Sequence, residues 1–142
     1  MYEHGMIAPV VALILWSLIM LVWLYATRIP AMAKAKLKPG AATREDIEKL
    51  PVANVAHNYN HLMEQPTLFY AVCFALEFLD LASDMNIGLA WAYVALRVLH
   101  SLVQATVNVI IVRWLIFMTA SVVLLLLSVH AAMGVGFLPN VH

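Results

Sequence analysis

The sequence predicts an all-α membrane protein, a four-transmembrane-helix up-down bundle, on three observations. Hydrophobic residues make up 64% of the 142-residue chain, charged residues only 11%, and the mean hydropathy is +0.88. A soluble domain carries roughly a quarter charged residues. The apolar residues also lie in long blocks, without the stripe of an amphipathic helix or the alternation of a strand. Four such blocks are long enough to cross a bilayer, giving one domain over 1–142 with helices at about 6–28, 54–80, 87–111 and 114–138.

Net charge is zero, so the distribution of charge is more informative than its sum. No basic surface with interleaved aromatics points to nucleic acid. Cys73 is the single cysteine, which excludes an intrachain disulfide and a cysteine metal cluster; it reads as a small packing residue.

The first block, Ile7 to Thr27, has no charge and as a helix rises roughly 31 Å. Pro9 falls in its first turn, where a missing N–H costs little. The residues before it lack Lys and Arg, so the segment is expected to remain as a membrane helix. Arg28 to Val55 is the long polar connection. It carries Arg28, Lys34, Lys36, Lys38, Arg44 and Lys49, six of the eight basic residues, and is expected in the cytoplasm. Within it, Pro39-Gly40 reads as a turn, and Thr43-Arg44-Glu45-Asp46 has the form of a capping box.

The second block opens with His57-Asn58-Tyr59-Asn60-His61-Leu62-Met63-Glu64-Gln65-Pro66. In a helix His57, Asn60, His61 and Glu64 share one face. A polar stripe entering a membrane must aim at protein or water. Pro66 either kinks this helix or begins its core. Asp80, Ser83, Asp84 and Asn86 form a short acidic turn assigned to the outside. The third block carries Arg97, His100, Gln104 and Asn108 at spacings of three and four, a second stripe. The fourth is uncharged and has His130 as its ionisable group, and Arg113 marks the reversal between the third and fourth. Cytoplasmic first and third connections put both termini outside.

The second and third helices, joined by a short turn, are expected to be antiparallel neighbours. Counted from the cytoplasmic side, Asn60 is then level with Asn108 and Glu64 with Gln104, and Arg97 sits roughly 20 Å in. A lone arginine there costs at least about 2.5–3.5 kcal/mol. Glu64 and Glu77 are the acids within the spans, and Glu64, on the polar face, is the expected partner. On that reading Arg97→Ala orphans a buried carboxylate and destabilises the protein strongly. Each residue also has a packing role open to it: Glu–Arg pairs, histidines and asparagines all serve as interhelical ties. The spacing His57-x3-His61-x2-Glu64 can place three metal ligands on one face, but lacks the Glu directly after the first His of zinc proteases, and no metal site is expected.

At these residues the chain resembles the membrane-associated proteins of eicosanoid and glutathione metabolism (MAPEG), in particular the microsomal glutathione transferases. The second-helix series is matched by Ala56-His57, Asn60, Glu64 and Pro66-x-x-Phe69, and the third-helix Arg-x-x-His with a later Arg by Arg97-Val98-Leu99-His100 and Arg113. The chain lacks the usual Arg before His57, and Gln104 stands where a Tyr is common. The resemblance implies a homotrimer with sites at subunit interfaces, open to the cytoplasm. It implies a glutathione-dependent transferase or peroxidase acting on apolar electrophiles or lipid peroxides, with glutathione as co-substrate. Asn60, Glu64, Arg97 and Arg113, supported by His57, His100 and Gln104, would bind it, and Arg113 would stabilise the thiolate. The alternative is a non-catalytic member that binds a lipid or small ligand. A bacterial inner membrane is the expected location.

Overall fold

The computed structural model describes residues 5–36, 57, 60, 64–107 and 109–139. The described residues form four α-helices: α1 (Ile7–Lys34), α2 (Pro66–Phe78), α3 (Asp84–Ala105) and α4 (Ile110–Gly134). By length and composition α1, α3 and α4 are long and apolar enough to span a membrane, and α2 is a shorter apolar helix of 13 residues.

α1 buries Val10, Leu13, Ser17, Met20 and Leu24, a single seam at alternating spacings of three and four. The helix does not stop near residue 28. It runs on through Pro30 to Lys34, because a charge at the bilayer edge ends the apolar block without ending the backbone hydrogen bonding. Ala31, Met32, Ala33 and Lys34 are good helix formers. At 28 residues, roughly 42 Å, α1 outreaches the hydrocarbon core.

Pro66 occupies the first position of α2, where its missing N–H is one the helix does not use. The backbone is also helical at His57, Asn60 and Glu64. α2 buries Phe69, Cys73 and Leu76. It ends with Asp80 in the left-handed region (φ +59°), Leu81 N–H donating to Leu76 C=O at 2.9 Å and Asp80 N–H to Glu77 C=O at 3.2 Å. This is a Schellman-type stop, with aspartate in the place glycine usually fills.

α3 begins at once, three residues earlier than the hydropathy pattern suggests. Ser83 is its N-cap, with its hydroxyl accepting from Asn86 N–H at 3.2 Å, and Asp84 lies in the first turn. At its far end α3 stops at Ala105, not near 111, and α4 starts at Ile110, not 114. Arg113 therefore lies in the first turn of α4 and not in the connection. The reversal uses no Gly or Pro. Thr106, Val107 and Val109 are β-branched and weak helix formers, and the Thr106 hydroxyl donates to Leu102 C=O.

The packing order corrects one expectation. α2 and α3 are consecutive but not neighbours: each packs along α1 and along α4, and α3 against α4 is the most extensive contact. α2 and α3 thus face each other across the bundle diagonal. Their long aromatic side chains span the gap, with Phe69 stacked on Tyr93 at a centroid distance of 4.4 Å and 15° between planes. Leu13, Met20, Cys73, Leu76, Ala120 and Leu127 complete the interior. Outward faces of α1 (Leu15, Leu18, Val22) and α4 (Leu115, Val122, Leu125) are apolar and exposed, as lipid or another subunit requires.

Candidate functional site

The polar stripe of α3 faces inward along its whole length. Asn86, Tyr93, Arg97, His100, Ser101 and Gln104 are all buried, at the spacings of three and four that share one face. The hydroxyls of Ser17, Thr119 and Ser128 donate to the carbonyls four residues earlier in their own helices at 2.8–2.9 Å.

At the end where α2 and α4 begin and α3 finishes lies a cavity of about 300 Å³, lined by Glu64, Gln65, His100, Ile110, Arg113, Trp114 and Phe117. Its polar side brings together three residues expected from the sequence: Glu64, His100 and Arg113. Its other side is apolar, with Ile110 and Trp114 exposed at the rim and Phe117 against His100 at 6.3 Å between ring centroids. The N-terminal ends of α2 and α4 add partial positive charge to that of Arg113. A carboxylate acceptor, a guanidinium donor and an imidazole facing an aromatic wall form a site for an amphiphile with charged groups at one end.

Four expected residues lie elsewhere. His57 and Asn60 are helical and exposed, outside the cavity lining. Arg97 and Gln104 are buried in the bundle and do not line the cavity. His61 and Asn108 fall outside the described residues. The Glu64–Arg97 pair is not a contact: Arg97 has no exposed surface, its Nε and both Nη atoms have no hydrogen-bond partner among the described residues, and Glu64 is exposed. Glu64 lines the cavity and is exposed, whereas Arg97 is buried in the bundle and does not line it.

Sequence reasoning missed Gln65. Its Nε2 donates to Ser121 Oγ at 2.8 Å, its Oε1 accepts from Tyr93 O–H at 3.1 Å, and Ser121 Oγ in turn donates to Phe117 C=O at 2.8 Å. Its position directly before Pro66 was the available signal. At the opposite end of the bundle His130 Nδ1 lies 2.6 Å from Asn86 Oδ1, while Asn86 Nδ2 donates to Leu81 C=O at 2.8 Å. That pair ties α4 to the α2–α3 turn.

No curated protein and no solved structure matches the chain. A family model, described as the MAPEG family, matches residues 6–133. With nearly the whole chain covered, and the four-helix membrane architecture in agreement, the protein belongs to the MAPEG family.

Proposed function

We infer that the protein is a membrane glutathione-dependent transferase or peroxidase that acts on apolar electrophiles or lipid peroxides. The observation that carries the reading is the convergence of Glu64, His100 and Arg113 on one cavity whose remaining wall is Ile110, Trp114 and Phe117. Glutathione bears two carboxylates, an ammonium and a thiol, so its site needs both an anion and cations. Glu64 suits the ammonium. Arg113 suits the sulfur, where a guanidinium favours thiolate over thiol and stabilises it until it attacks. In a transfer reaction the thiolate sulfur forms a bond to the electrophilic carbon and the leaving group departs with the displaced electron pair. The apolar wall suits an electrophile that arrives from the bilayer. The family includes glutathione transferases and peroxidases, which favours this chemistry.

A cavity of about 300 Å³ is at the small end of ligand pockets. A tripeptide plus a hydrophobic partner needs further wall, and a second copy against the apolar faces of α1 and α4 would supply it. A homotrimer with sites between subunits fits that need. The basic connection after α1 favours a cytoplasmic opening in a bacterial inner membrane.

Calorimetric titration of the purified protein with glutathione, followed by a conjugation assay with an apolar aryl electrophile, tests the reading. Binding with turnover supports it, and Arg113→Ala should then lose about 10²-fold in conjugation rate. Full activity in Arg113→Ala would remove its assigned role. Binding without turnover favours the second reading, a non-catalytic ligand-binding protein, for which the apolar wall and the buried Gln104 speak.

A further inference from the structure

We propose that Gln65 is the positioning residue of the cavity: its amide clasps α3 and α4 at once and thereby fixes Glu64, its chain neighbour, in the cavity wall. The network dictates how the amide is turned. The hydroxyl proton of Ser121 is committed to Phe117 C=O, so Ser121 Oγ must accept, and Nε2 is the donor that meets it. Oε1 is then left for Tyr93 O–H. Tyr93 has no freedom to move away, because it is fully buried and its ring is stacked on Phe69.

The start of α2 needs such a clasp. Pro66 has no N–H to give the preceding turn, Leu68 N–H bonds Gln65 C=O at 3.0 Å with i→i+3 spacing, and Glu64 C=O is met by the Thr67 hydroxyl at 2.7 Å. Local backbone bonding thus changes register just where Glu64 faces the cavity, and the Gln65 side chain supplies the interhelical bonds across that break. Gln65 itself lines the cavity beside Glu64.

The test is amide hydrogen exchange on the full-length protein in lipid, with Gln65→Met as the variant that keeps shape and removes both bonds. Exchange at His57, Asn60 and Glu64 should rise about tenfold while the buried core of α3 keeps its protection. Gln65→Glu, which retains the acceptor for Tyr93 but cannot donate to Ser121, should show a smaller rise, about threefold. A purely structural role would raise exchange through α3 and α4 alike, and this outcome, or unchanged exchange at Glu64, overturns the proposal. Should Gln65→Met fail to assemble, Ser121→Ala removes one bond only, and it too must loosen Glu64 selectively. The ligand arm rests on the reading above: glutathione affinity measured by calorimetry should fall about tenfold in Gln65→Met. Absence of glutathione binding by the unaltered protein would sink the functional reading but leave the exchange result to decide the role of Gln65.

Discussion

Arg97 shows most sharply how a residue's surroundings change the meaning of its charge. A cation in a span, read without neighbours, demands a counter-ion, and its removal should leave a stranded carboxylate. Its guanidinium is instead buried with no hydrogen-bond partner among the described residues, and the favoured carboxylate is exposed at the cavity. Removing the charge while keeping the volume therefore takes away a desolvation cost and orphans nothing buried. Arg97→Met should leave stability unchanged or raise it by about 1–4 kcal/mol, measured by denaturation in mixed micelles. A loss of several kcal/mol would show that Arg97 is held by an ion pair after all. His130 behaves in the ordinary way. Since Asn86 Nδ2 is committed to Leu81 C=O, Oδ1 faces the ring and Nδ1 must carry the proton. Nitrogen NMR should find the Nδ1–H tautomer. His130→Ala, which leaves a buried acceptor on Asn86, should cost about 1–3 kcal/mol.

The helices end for reasons that hydropathy does not record. The α2–α3 turn combines a left-handed Asp80, the Leu81-to-Leu76 bond and the Ser83 cap within a few residues. Ser83→Ala should destabilise by about 1 kcal/mol through loss of the cap. Asp80→Gly, at φ +59°, should be neutral or stabilising by up to about 1 kcal/mol. Both are read from thermal melts in the same detergent, and a melt raised by Ser83→Ala would contradict the cap. Acidic turn residues between two apolar blocks made this connection legible. The α3–α4 reversal was not, because Thr106, Val107 and Val109 look like more membrane helix on any hydropathy scale. Only the departure of the Thr106 backbone from helical angles (φ −112°, ψ −90°) marks it, and with it the shift of Arg113 onto the first turn of α4.

For the whole molecule, the decisive fact is that consecutive helices α2 and α3 sit on the diagonal. α4 is thereby placed beside both, so the cavity is built from the start of α2, the end of α3 and the start of α4. Two of its polar residues came from the stripes, and the third, Arg113, comes from a segment that hydropathy treated as a boundary marker. The same placement puts an aromatic stack, not an ion pair, at the centre of the bundle. The exposed apolar faces of α1 and α4 remain to meet lipid or another copy, and a charge placed there should be costly. Leu18→Arg, on the exposed face of α1, should lower membrane insertion by about 2.5–3.5 kcal/mol on insertion scales. A small effect would place that face next to water.

The chain by itself determined the solvent, the number of helices and the ends of the bundle at which polar groups gather. Those follow from summed transfer free energies and from backbone groups that must be satisfied within each span, both local properties of the residues. Tertiary packing alone decided which helices touch, whether Glu64 meets Arg97, and that Gln65 is clasped between Tyr93 and Ser121. An apolar helix offers similar surface all round, so its choice of neighbour depends on how side-chain shapes interlock, and that is not written in any one segment.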